Sequence, residues 1–119
     1  MPRILLVDDD PAILRLLDVN FRMEGFDVDA ATHGEDALAA AGRRPPDVIV
    51  LDLMLPGLDG REILRRLRED PATAEVPALF LTARGRDDAA PGEDARYLQK
   101  PFDTVELVAT VRAMLEGDA

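Results

Sequence analysis

A chain of 119 residues with 24 acidic and 14 basic side chains, a net charge of −10 and a pI near 4.4 is long enough for one domain with its own core. It has no cysteine, so disulfides and thiolate zinc sites are excluded, and its one histidine, His33, cannot build a histidine cluster. The acidity argues against nucleic-acid binding by this chain, and no apolar run approaches the ~20 residues of a membrane span.

Met1-Pro2-Arg3 leads straight into an apolar run without the long apolar region of a signal peptide, so a cytoplasmic location is expected. Arg3 to Val7 predicts a buried strand that ends in Asp8-Asp9-Asp10. Asp10-Pro11 reads as a helix cap followed by proline at the first helical position. Ile13, Leu16, Leu17 and Phe21 recur at helical spacing, and Gly25 is suited to the left-handed cap. Phe26 to Ala31 alternates apolar and acidic residues, as an edge strand would. A second helix is expected from Gly34 to about Arg43, broken by Pro45-Pro46.

Asp47 to Asp52 follows, with Val48-Ile49-Val50-Leu51 unbroken. This is the pattern of a parallel strand covered on both faces, and it places Asp52 at the strand's carboxyl end. After Pro56-Gly57, Asp59 caps a third helix, with Glu62 in capping-box position and Ile63, Leu64 and Leu67 facing inward. Pro77 to Thr82 is a fourth strand. Arg84 to Arg96 is irregular, interrupted by Gly85, Pro91 and Gly92, with room for about one turn of helix. Tyr97-Leu98-Gln99 is a short fifth strand. Asp103 caps a last helix from Thr104 to about Glu116, with Val108, Val111 and Leu115 as its stripe. Strands alternating with helices predict a doubly wound α/β/α sandwich on five parallel strands, with four firm helices.

Right-handed crossovers bring Asp8 and Asp9, Asp52, Thr82 and Lys100 to one edge of such a sheet. Carboxylates so gathered repel one another, so they need a cation or one must stay protonated. All-oxygen ligands favour Mg²⁺ or Mn²⁺ over Zn²⁺. Metal, ammonium, hydroxyl and a carboxylate nucleophile together equip a site for phosphoryl transfer.

Four stretches carry a resemblance: Ile4-Leu5-Leu6-Val7-Asp8-Asp9-Asp10, the run from Val50 to Gly60, Leu81-Thr82-Ala83 and Lys100-Pro101-Phe102. In this order and spacing the chain resembles the response-regulator receiver domain of two-component signalling along nearly its whole length. The resemblance implies a flavodoxin-like sheet in the order 2-1-3-4-5. It implies Asp52 as the acceptor, phosphorylated by a sensor histidine kinase or phosphotransfer protein. It further implies Mg²⁺ held by Asp9, Asp52 and the Met54 carbonyl, with Asp8 acting largely through water. Thr82 and Lys100 then contact the phosphoryl group, Tyr97 is the switch aromatic, and Met54 and Arg84 match positions that tune dephosphorylation. Lys100-Pro101 looks like the family's cis peptide.

The chain departs from the family between Thr82 and Lys100. That segment is several residues short, so the family's fourth helix is expected to be absent or reduced to a turn, leaving an atypical output face toward an unknown downstream protein. The chain closes soon after its last helix with no effector domain, which fits a stand-alone receiver or a fragment of a longer regulator. The reading is a switch and not a turnover enzyme. One rival is a Mg²⁺-dependent aspartyl-phosphate phosphohydrolase, disfavoured by Met54 where a second acid is wanted; the other is a scaffold that works without phosphorylation.

Overall fold

Unbroken apolar runs become the inner strands of a parallel sheet. The structure is a computed structural model and describes residues 1–83 and 95–117. Its strands are β1 (Arg3–Val7), β2 (Asp27–Ala31), β3 (Val48–Asp52), β4 (Ala78–Thr82) and β5 (Arg96–Gln99), in the spatial order 2-1-3-4-5. Every pairing is parallel. The described helices are α1 (Pro11–Met23), α2 (Gly34–Arg43), α3 (Gly60–Glu69) and α4 (Thr104–Leu115).

Alternation along each strand sorts the core into two layers. Leu5, Val7, Ile49, Leu51, Ala78 and Phe80 pack against Ala37 and Ala41 of α2 and Ile63, Leu64 and Leu67 of α3. Ile4, Leu6, Val48, Val50, Leu79 and Leu81 pack against Leu14, Leu17 and Phe21 of α1 and Leu107, Val111 and Met114 of α4. All five residues of β3 and all five of β4 are buried, because both strands are covered on both faces. Truncating one such side chain, Leu51→Ala for example, is expected to cost about 2–5 kcal/mol.

The helix starts follow the sequence signals. Asp10 accepts from the Ala12 amide at 2.9 Å, Asp59 from the Glu62 amide at 2.9 Å and Asp103 from the Val105 amide at 2.8 Å. Gly25 takes φ +90° just after α1. Three details differ from expectation. Leu16 is 49% exposed, and Leu14 takes the inward place beside Leu17 and Phe21. In α4 the fully buried positions are Leu107, Val111 and Met114, while Val108 and Leu115 flank them half-buried. The Glu62 carboxylate turns to Arg65 and Arg66 at 2.6 to 2.9 Å, because two guanidinium forks one turn along the helix outcompete a single backbone amide.

Residues 84–94 lie outside the described residues, and with them fall Arg84 and the question of the family's fourth helix. Among the described residues no helix is long and apolar enough to cross a membrane.

Candidate functional site

Strand register decides what meets what. Val7 pairs with Leu51, Asp52 with Leu81 and Thr82 with Gln99, so β1, β3, β4 and β5 end level. The Lys100 amide donates to the Thr82 carbonyl at 2.7 Å, extending the ladder one residue beyond β5. The Lys100–Pro101 peptide that follows is cis. Asp8, Asp9, Asp52, Thr82 and Lys100 thus share one sheet edge, the carboxyl edge on which open α/β folds bind ligands.

The sequence run Asp8-Asp9-Asp10 divides into three different environments. Asp8 is buried at 1% exposure, Asp9 is exposed, and Asp10 caps α1. Carboxylate oxygens of Asp8, Asp9 and Asp52 lie within 4.8 Å of one another. Lys100 spans two of these acids, its Nζ donating to Asp8 Oδ2 at 3.3 Å and to Asp52 Oδ2 at 3.2 Å. The second oxygens are met by backbone: the Asp10 amide donates to Asp8 Oδ1 at 2.9 Å and the Met54 amide to Asp52 Oδ1 at 3.0 Å.

These two amides escape sequence reasoning, since every residue but proline carries one and only the turn geometry aims it. Met54 itself is 73% exposed at the rim of the site. Thr82 is buried at the end of β4. Tyr97 stacks on Phe80 with ring centroids 5.3 Å apart, and its buried hydroxyl has no hydrogen-bond partner among the described residues.

Burial pushes the Asp8 carboxyl above its ordinary 3.8, and the nearby Asp52 adds to the rise; the Asp10 amide and Lys100 oppose it without cancelling it. Burial also works against charge on Lys100, but Asp52 and then Asp8 outweigh it and lift the ammonium above its ordinary 10.5. Among the described residues three carboxylates face one ammonium here, so full ionisation leaves two of their negative charges in excess of it. The donors are all oxygen, and the excess charge is what a hard divalent cation would neutralise. The residues present therefore fit Mg²⁺ or Mn²⁺.

Comparison with known proteins agrees with this geometry. The family model described as the response regulator receiver domain matches residues 4–112. The chain belongs to that family, the receiver domains of response regulators in two-component signalling. It is 50% identical over 119 residues to the DNA-binding dual master transcriptional regulator RpaA of Synechocystis, covering 97% of this chain and 49% of the relative. It is 44% identical over 120 residues to the phosphate regulon transcriptional regulatory protein PhoB of Rhizobium meliloti, covering 97% and 52%. The chain thus spans about half the length of the curated relatives it matches.

Among solved structures it superposes on the chemotaxis response regulator CheY4 of Vibrio cholerae with a TM-score of 0.86 at 29% identity, covering 94% of this chain and 97% of the other. It also matches the receiver domain of a Pseudomonas aeruginosa sensor histidine kinase, solved with magnesium in its active-site cleft. There the TM-score is 0.85 at 31% identity, covering 97% and 98%.

Proposed function

We propose that the chain accepts a phosphoryl group on Asp52 from the phosphohistidine of a sensor histidine kinase or phosphotransfer protein, and that the adduct shifts its conformation toward a state read by a downstream protein. The observation that carries this reading is the convergence of Asp8, Asp9 and Asp52 within 4.8 Å, with Lys100 Nζ 3.2 Å from Asp52. A carboxylate oxygen of Asp52 attacks phosphorus, the phosphorus–nitrogen bond breaks, and the imidazole leaves with the electron pair and takes up a proton. Asp52 needs no base, because it is used as the anion.

Asp9, Asp52 and the Met54 carbonyl would hold the metal, with Asp8 acting through water. Mg²⁺ bound there supplies charge neutralisation for the phosphoryl oxygens. Lys100, already seated against Asp52, turns its ammonium to a phosphoryl oxygen once the carboxylate becomes an acyl phosphate. Thr82, next along β4 from the partner of Asp52, offers its hydroxyl to another. Tyr97, the register partner of Phe80 on β4, would be the aromatic that follows Thr82. Phosphorylation acts as a switch only to the extent that Thr82 and Lys100 bind the phosphoryl group better in one conformer. The chain is on this reading a stoichiometric acceptor, not a turnover enzyme.

The test is incubation with acetyl phosphate and Mg²⁺, followed by intact mass, beside an Asp52→Asn variant. A lasting gain of one phosphoryl group that vanishes in the variant supports the acceptor. Rapid multiple turnover without a lasting adduct would identify a phosphohydrolase instead. No adduct with any small donor would identify a scaffold that works by contact alone.

A further inference from the structure

Gly60 opens α3 at the point where that helix touches the backbone carrying Asp52. Its amide donates to the Leu53 carbonyl at 3.0 Å, so main chain meets main chain where the helix starts beside the strand end. A Cβ on residue 60 would lie 2.8 Å from the Asp52 carbonyl oxygen, 3.1 Å from Leu53 Cα and 3.0 Å from Phe80 Cε1. Two of those three neighbours are backbone atoms at the end of β3 and cannot step aside as a flexible side-chain tip can. Gly60 is not among the glycines with positive φ, so the requirement is for room and not for an unusual backbone conformation.

The strand end is held from its other sides as well. The Leu53 amide donates to the Leu81 carbonyl at 3.0 Å, and the Met54 amide donates to Asp52 Oδ1 at 3.0 Å. A methyl group on residue 60 must therefore either lift α3 or move the Asp52 peptide. Movement of that peptide carries the carboxylate away from its 3.2 Å contact with Lys100 and out of register with Asp8 and Asp9.

We infer that Gly60 is a positioning residue: the missing Cβ lets α3 seat directly on the Asp52 peptide and so fixes the carboxylate against Lys100 and the two other acids. The inference rests on Asp52 being the acceptor. It makes the glycine after Asp59 part of the site's construction, although it touches neither metal nor phosphoryl group.

The experiment compares Gly60→Ala with Gly42→Ala, an alanine placed in α2 where nothing lies within 4 Å of the new Cβ. Circular dichroism and a melting curve establish folding. Phosphoryl uptake from acetyl phosphate at saturating Mg²⁺ is read by intact mass. The Met54 amide resonance reports the Asp52 carboxylate, to which that amide donates. The expected result is a rate at least about tenfold lower in Gly60→Ala with a displaced Met54 amide, and both unchanged in Gly42→Ala.

If Gly60→Ala does not fold, Phe80→Leu is added to give the methyl room on its side-chain flank, with Phe80→Leu alone as reference. The double variant is expected to fold and to stay slow, because the Asp52 and Leu53 backbone atoms still block the methyl. A double variant as fast as its reference overturns the inference, since the clash was then one of core packing. So does a Gly60→Ala protein with full rate and an unmoved Met54 amide. If the unaltered chain takes up no phosphoryl group, the acceptor reading falls by itself, and the Met54 amide comparison still decides the role of Gly60.

Discussion

Lys100 Nζ lies 3.2 Å from Asp52 Oδ2, joining the turn after β5 to the end of β3 across 48 residues of sequence. The same ammonium reaches Asp8 at 3.3 Å, and it is the chain's only lysine against 13 arginines. An ammonium on a flexible stem can turn from a carboxylate to a phosphoryl oxygen; a guanidinium fork is committed to planar, paired contacts. Lys100 is also the charge that any divalent cation must compete with for these acids.

Replacement of Lys100 by methionine is therefore expected to do two opposite things. The metal-free protein should lose about 1–2 kcal/mol at neutral pH, less than for a fully buried pair because the lysine side chain is 25% exposed. Mg²⁺ should bind about fivefold more tightly, on the order of 1 kcal/mol of relieved repulsion. Calorimetric titration of both proteins checks this, and equal or weaker binding by Lys100→Met would show that the ammonium does not oppose the metal.

Asp8 carries a pH dependence with a definite sign. Burial raises its folded-state value above the ordinary 3.8 it has when unfolded, so the folded chain binds the proton more tightly. Its contribution to stability is full below about pH 3.8 and is lost as pH rises through the raised value. At neutral pH the metal-free protein bears the cost of an ionised, buried Asp8. Asp8→Asn should accordingly raise the melting temperature of the metal-free protein at neutral pH, with a flatter profile above pH 4. Mg²⁺ should stabilise the parent more than the variant, which keeps Asp9 and Asp52 but loses the third negative charge. Melting curves from pH 4 to 8 with and without Mg²⁺ decide it; a variant less stable than the parent at pH 7 without metal contradicts the burial argument.

Glu62 behaves in the opposite direction. Hydrogen bonds from Arg65 and then Arg66 hold its carboxyl down at about 2, against an ordinary 4.5. Its stabilising contribution is present above about pH 4.5 and disappears as pH falls through about 2. The group is on the surface, so the effect is modest and salt-sensitive. Glu62→Gln should melt below the parent at pH 6, and the gap should close on acidification to pH 2 and shrink in 1 M NaCl. A gap that stays constant from pH 6 to pH 2 would remove the carboxylate as its cause.

Much of the site was legible because a parallel strand covered on both faces writes itself as an unbroken apolar run, and the residue after the run must then lie at the sheet edge. Val48 to Leu51 located Asp52 in this way, and Arg3 to Val7 located the acidic cluster. Caps were legible because Asp10, Asp59 and Asp103 answer a local need of the backbone. What was not legible depended on three-dimensional aim. Nothing in Asp8-Asp9-Asp10 says that the first is buried and the second exposed. Leu16 and Leu14 both satisfy a helical period, and only the direction of α1 across the sheet chooses between them. Gly60 reads as a helix start, and the close approach of the Asp52 carbonyl leaves no mark on composition or spacing.

Tyr97 offers the most direct check on the interior beside the site. Its ring stacks on Phe80, itself fully buried, while its hydroxyl is shut away from solvent without a hydrogen-bond partner among the described residues. A buried hydroxyl left unmet costs about 1–3 kcal/mol, and the phenyl ring alone keeps the stacking and the apolar contact. Tyr97→Phe should therefore stabilise the protein by about 1 kcal/mol, whereas Tyr97→Ala should destabilise it by about 2–4 kcal/mol through the lost ring. Chemical denaturation of the three proteins separates the hydroxyl from the ring. If Tyr97→Phe is less stable than the parent, the hydroxyl is bonded in solution, and the inward-facing ring with its unmet oxygen is not the dominant state.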